Sequence, residues 1–166
     1  MSSVRNVLIL CTGNSARSIL AEAILNREGA GRFHAFSAGS QPKSQVHPMA
    51  LALLDEKGFP IEGFRSKSWD EFAGEGAPPI DFVFTVCDNA AGETCPYWPG
   101  APIRAHWGID DPAGVEGAGQ RDAFEKAFGE LEARIARFLA LPVETMEPAA
   151  LRGALRAIGE GTQAHA

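Results

Sequence analysis

Cys11-Thr12-Gly13-Asn14-Ser15-Ala16-Arg17-Ser18 carries the strongest chemical pattern in this chain. A cysteine and an arginine are separated by five small or polar residues. A loop of that make-up can turn its backbone N–H groups onto a common centre. Where a helix begins at its end, the helix dipole adds roughly half a positive charge at the same point. The Arg17 guanidinium is a planar fork suited to two oxygens of an oxyanion. The same field favours the thiolate form of Cys11, which is the nucleophilic form. Gly13 and Asn14 tolerate the backbone angles of a tight loop, and the Ser18 hydroxyl can hydrogen-bond the sulfur. The segment reads as a thiolate nucleophile facing a tetrahedral oxyanion, with Thr12, Gly13, Asn14, Ser15, Ala16, Arg17 and Ser18 as the cradle. Spacing alone does not carry this, since a cysteine and an arginine six apart also arise by chance. The strand–loop–helix setting described below carries it. A nucleotide-binding loop is excluded, because the Gly-rich Lys-Ser/Thr pattern is absent.

Two further places bear on the same chemistry. A thiolate that displaces an oxygen needs a proton donor for the leaving group. Gly108-Ile109-Asp110-Asp111-Pro112 offers a carboxylic acid on a glycine-flanked loop, with Asp111 preferred over Asp110. Cys87 and Cys95 lie eight apart around Asp88-Asn89-Ala90-Ala91-Gly92-Glu93-Thr94. That spacing is not a Cys-x-x-Cys metal or redox motif, and zinc would need more Cys or His partners than the scattered histidines provide. Two thiols on a glycine-containing loop, beside an activated third, instead form a relay for thiol–disulfide exchange.

The elements that must position these groups follow from hydropathic period. Val4 to Leu10 is an apolar, β-branched run suited to a buried strand. It ends at the Cys11 loop. Ile19, Leu20, Ala23, Ile24 and Arg27 then repeat at helical spacing, and Gly29 supplies a stop. His34–Ala38 reads as a second strand, His47–Lys57 as a helix, and Ser68–Phe72 as a short capped turn. Asp81–Cys87 reads as another buried strand and Ile103–Trp107 as the last. Phe124, Phe128, Leu131, Ile135, Phe138 and Leu139 mark the longest helix, over Gln120–Leu141. Alternating strands and helices predict an α/β fold: one domain, a three-layer sandwich around a central four-stranded parallel sheet with helices on both faces. Ligands then bind beyond the carboxyl ends of the strands, where Cys11, Cys87 and Asp111 all follow a strand. The domain is expected over residues 1–142, with 143–166 as a helical or flexible tail carrying a helix at Pro148–Ile158.

These motifs together resemble the arsenate reductases built on the low-molecular-weight protein tyrosine phosphatase fold. The resemblance runs from about Val4 to Leu141. It rests on Leu10–Ser18, Phe36-Ser37-Ala38-Gly39, Val86-Cys87, Cys95-Pro96 and His106-Trp107-Gly108-Ile109-Asp110-Asp111-Pro112. It implies that Cys11 attacks arsenate while Asp111 protonates the departing hydroxide and Arg17 stabilises the oxygens. It further implies that Cys87 attacks Cys11 and releases arsenite, and that Cys95 then takes the disulfide to Cys87–Cys95. Thioredoxin would reduce that pair, so no bound cofactor is expected. Glutathione with glutaredoxin is the alternative reductant. Some relatives hold potassium near the loop through an asparagine, a glutamate, a serine and an aspartate. Asn14, Glu22 and Ser37 match, but Lys67 stands in place of the aspartate. Its ammonium would substitute for the cation, so no metal is expected.

The runner-up function is a low-molecular-weight protein tyrosine phosphatase or a small-molecule phosphatase, which shares the loop and the acid. Phosphatases of this fold place tyrosines after the Asp-Pro pair. Here Ala113-Gly114-Val115 follow, and the only tyrosine is Tyr97. An oxyanion-binding or redox-sensing module is a third reading, but it needs neither the acid nor the extra thiols. The wider composition agrees with a thiol enzyme. The chain has 166 residues, 45% hydrophobic and 22% charged, the make-up of a globular domain with a core of its own. A net charge of −6 argues against nucleic acid or an acidic membrane as partner, and makes arsenate, with phosphate and sulfate as competitors, depend on a locally positive site. Three cysteines are too few and too odd for a disulfide framework. A cytoplasmic monomer is the default expectation, since the apolar run after the polar start is too short for a signal or a span.

Overall fold

The computed structural model describes residues 4–11, 13–14, 16–41, 45–72, 79–86, 103–109, 112 and 117–163, without the side chains of 160–163. In chain order the elements are β1 (Arg5–Leu10), α1 (Arg17–Glu28), β2 (Phe33–Ala38), α2 (Pro48–Glu56), a 3-10 turn (Trp69–Phe72), β3 (Phe82–Thr85), β4 (Ile103–His106), α3 (Gly119–Leu139) and α4 (Pro148–Gln163). The strands form one four-stranded sheet in the order β2-β1-β3-β4. Every pairing is parallel. This is the α/β architecture that the alternating pattern predicts.

The run Val7–Leu10 is buried on both faces because β1 is central, as is β3 with Phe82–Thr85. The edge strand β4 alternates instead: Arg104 and His106 are exposed, and Ile103 and Ala105 face the core. Val7, Ile9, Phe33, Ala35, Phe82 and Phe84 pack on one side against α1, α2, α3 and α4. On the other side Leu8, Leu10, Ala38 and Val83 pack against Trp69, Phe72 and Ile80. The helical stripe of α3 is buried at Phe124, Ala127, Phe128, Leu131, Ile135 and Phe138. Phe138 sits centrally, its ring centroid 4.7 Å from Phe33, 5.5 Å from Phe82 and 5.2 Å from Phe84.

Residues 143–166 read as a tail from sequence, yet Val143, Leu151, Leu155 and Ile158 are buried in the main core. The helix there runs to Gln163 rather than Ile158. Its apolar residues at spacings of four and three reach the flank of β4, where an uncovered edge would otherwise expose Trp107 and Ile103. Among the described residues no helix is long and apolar enough to cross a membrane.

Chain connection reverses direction between β1 and β3: β2 lies on one side of β1, and the chain then crosses to the other. The switch point therefore lies at the carboxyl ends of β1 and β3. Backbone pairing continues past the strands at that end. Cys11 N donates to Ala38 O at 3.2 Å, Val86 N to Leu10 O at 2.9 Å, Trp107 N to Thr85 O at 2.7 Å and Ile109 N to Val86 O at 3.0 Å. The three loops thus leave the sheet side by side.

Removing the central ring should show how far the fold depends on it. Phe138→Ala is expected to lower the unfolding free energy by about 3–5 kcal/mol, read as a lower denaturant midpoint at unchanged slope.

Candidate functional site

Cys11 follows β1 directly and is a buried thiol, 4% exposed. Three residues on, Asn14 has φ 44°, in the left-handed region that asparagine tolerates better than most side chains. Its carboxamide is fully buried and fully used. Nδ2 donates to Ser18 Oγ at 2.8 Å and to Ser37 Oγ at 3.0 Å, while Oδ1 accepts the Lys67 backbone N–H at 2.9 Å. Ser37 Oγ in turn donates to Glu22 Oε1 at 2.5 Å. Ser66 Oγ donates to Gly13 O at 2.9 Å. The loop is thereby tied to α1, to β2 and to the 66–67 segment.

Ser37 and the Lys67 backbone meet Asn14 directly, and Glu22 joins them through Ser37. Lys67 contributes its backbone N–H to that cluster, and its Nζ donates to Arg65 O at 3.0 Å. Burial pushes the Glu22 carboxyl above its ordinary range, opposed by the Ser37 hydrogen bond and then by the Lys67 charge. Burial pushes Lys67 the other way, opposed by Glu22. Each charge makes the other less costly.

The start of α1 differs from an ordinary helix start. Ala16 occupies the cap position, where it has no polar side chain to offer, and the first turn contains no acidic residue. An ordinary helix end uses a serine, threonine or aspartate there. The positive end of the α1 dipole therefore points at the loop that follows Cys11. Arg17, the first residue of α1, donates from Nη1 to Ile109 O at 2.8 Å. The oxyanion loop and the loop after β4 are therefore physically joined. Ile109 and Pro112 are both buried, on either side of Asp110-Asp111 in sequence.

Thr12, Ser15, Cys87, Cys95, Asp110 and Asp111 lie outside the described residues. The residues that precede two of them in the chain are described. Val86, which precedes Cys87, is hydrogen-bonded to Leu10, which precedes Cys11. Ile109, which precedes Asp110, is hydrogen-bonded to both Val86 and Arg17. Sequence reasoning misses Ser66, the Ile109 carbonyl and Arg134, a buried cation on α3. Ser66 and the carbonyl have no local signature. Arg134 has one: it stands inside the apolar stripe Ala127, Leu131, Arg134, Phe138, at core spacing.

Comparison with known proteins agrees with this geometry. The model of the low molecular weight phosphotyrosine protein phosphatase family matches residues 6–149. An arsenate reductase of Brevibacillus brevis is 34% identical over 138 residues, covering 83% of this chain and 96% of the relative. A solved arsenate reductase in its phosphate-binding state superposes with a TM-score of 0.68 at 28% identity, covering 82% of this chain and 98% of that one. The thioredoxin-dependent arsenate reductase of Corynebacterium glutamicum has a TM-score of 0.61 at 26% identity, covering 83% of this chain and 61% of that one.

Two substitutions separate the hydrogen bonds of Asn14 from its backbone angle. Asn14→Gly should lose about 2–3 kcal/mol of stability, because three buried hydrogen bonds, to Ser18, Ser37 and the Lys67 N–H, are lost. Asn14→Ala should lose about 1 kcal/mol more, since alanine adds left-handed strain that glycine avoids. Thermal melts of the two variants beside the parent chain check both values.

Proposed function

The chain belongs to the low molecular weight phosphotyrosine protein phosphatase family, and on that footing we propose that it reduces arsenate to arsenite through Cys11, Cys87 and Cys95. The observation that carries the reading is the start of α1: a buried thiol just before it, an alanine at its cap with an acid-free first turn, and Arg17 anchored at its base. Such a site binds a tetrahedral dianion and favours a thiolate beside it. The resemblance to named arsenate reductases then supports arsenate over a phosphoester.

In the proposed cycle the Cys11 thiolate attacks arsenic(V) while Asp111 gives its proton to the leaving hydroxide, which departs as water. Loop amides of Thr12 to Ser18 and the Arg17 guanidinium hold the remaining oxygens as charge builds on them. Ser18 Oγ accepts from Asn14, which leaves the hydroxyl proton to donate toward sulfur. Cys87 then attacks Cys11 Sγ. The electron pair of the S–As bond stays on arsenic, so arsenite leaves and a Cys11–Cys87 disulfide remains. Cys95 attacks Cys87, releasing Cys11 as thiolate and leaving Cys87–Cys95 for the reductant. Thioredoxin is the proposed reductant, supported by the Corynebacterium relative, with glutathione and glutaredoxin as the alternative. A cycle that needs reduced thiols suits a cytoplasmic location. No bound cofactor is needed, because both electrons come from thiols.

The deciding assay supplies arsenate, thioredoxin, thioredoxin reductase and NADPH. Arsenate-dependent NADPH loss is expected, with a fall of at least a hundredfold in Cys87→Ser and in Cys95→Ser. Aryl phosphate turnover that survives both substitutions, without arsenate reduction, would identify a phosphatase and sink the relay. Replacing thioredoxin by glutathione and glutaredoxin identifies the reductant.

The Lys67 ammonium lies close enough to Glu22 to favour its charge, the service that a bound potassium would perform. Activity and melting temperature are therefore expected to be equal in potassium and sodium salts of the same ionic strength. A clear gain in potassium alone would overturn that role for Lys67.

A further inference from the structure

The segment Trp107–Ile109, which leads into Asp110-Asp111, is gripped from beneath by groups remote from the anion. Trp107 is buried and stacked on Phe84, with ring centroids 4.1 Å apart. Its Nε1 donates to Leu155 O of α4 at 3.0 Å. One turn on, a Cβ on Gly159 would stand 2.6 Å from His106 O and 3.1 Å from Trp107 Cδ1. Real Cβ atoms do not approach a backbone oxygen so closely, so α4 lies against the end of β4 at a distance that only glycine permits.

Arg134 of α3 holds the same segment from a second direction. It is 1% exposed, and its Nη1 donates to Gly108 O at 2.9 Å and to Trp107 O at 3.4 Å. Burial disfavours its charge, and Glu130 only partly opposes that. A leucine or methionine at this core position would avoid the desolvation cost. What the guanidinium adds is a hold on two carbonyls of the loop. The family match ends at residue 149, so α4 lies almost wholly outside the matched part.

We propose that α4, through the Gly159 contact and the Leu155 carbonyl, together with Arg134, is a positioning device for the acid loop. Their hold is on Trp107, Gly108 and the end of β4. They set the height at which the chain leaves β4 and runs on toward the proton donor. The inference rests on the proposed reading of Asp111 as that donor.

Two glycines of the same helix give a matched test in the full-length chain. A Cβ at Gly153 meets nothing within 4 Å, whereas one at Gly159 forces α4 and the end of β4 apart. Gly159→Ala is expected to lower kcat for arsenate about tenfold, as small misplacements of catalytic groups do. The phosphate inhibition constant should stay within about twofold, because the cradle is untouched. Gly153→Ala should leave both unchanged. In an Asp111→Asn background, Gly159→Ala should cost less than about twofold more, since the group it positions is already gone. Trp107→Phe, which keeps the ring stack but loses the bond to Leu155, should repeat the pattern and serves if Gly159→Ala does not fold. Equal losses in both backgrounds, weakened phosphate binding, or an unchanged kcat would each overturn the proposal. An undiminished rate in Asp111→Asn would count against the donor reading instead, and the same cycle built on Asp110→Asn would then decide the role of α4.

Discussion

The candidate site depends first on the carboxamide of Asn14. Its backbone sits at φ 44°, a conformation that costs roughly 1 kcal/mol for a residue with a Cβ. Three buried hydrogen bonds to Ser18, Ser37 and Lys67 offset that cost, at about 1 kcal/mol each. The result is that Asn14 is held to α1, to β2 and to the 66–67 segment by bonds within the chain itself. Donors held in place beforehand need no reorganisation when charge develops on the oxygens. Ser37 passes the constraint on to Glu22, and Ser66 repeats it at Gly13. Glu22 and Lys67 share one half-buried patch in which each offsets the desolvation of the other.

The sheet order explains why this loop stands where it does. With β2 and β3 on opposite sides of β1, the carboxyl end of β1 is the switch point of the sheet. Backbone bonds beyond the strand ends then align three exits: Cys11 on Ala38, Val86 on Leu10, and Trp107 and Ile109 on Thr85 and Val86. Arg17 joins the first exit to the third through Ile109. The third exit is the one that meets the helix on the far flank of β4.

The C-terminal helix also shows how one segment can serve packing and positioning together. Leu151, Leu155 and Ile158 close the core beside β4, while the backbone of the same turns meets Trp107 and His106. The two tasks use different atoms, side chains for the first and carbonyl and Cα for the second.

Much of this was readable from the residues in order. The run Val7–Leu10 marks a central strand because a strand covered on both faces must be apolar at every position. The stripe on Gly119–Leu139 marks a helix because burial there repeats every three or four residues. Cys11 and Arg17 announce an oxyanion site because thiolate and guanidinium chemistry belongs to the side chains themselves. Glu22, Ser37 and Lys67 entered through the resemblance, since nothing local connects positions so far apart. Tertiary structure alone decided the grip of Ser66 on Gly13, the carbonyl of Ile109 as the seat of Arg17, and the approach of Gly159 to His106. The physical reason is common to all three. Each uses a backbone atom as one partner, and backbone atoms are the same at every position of a sequence. They acquire a role only when the fold brings a distant residue to them.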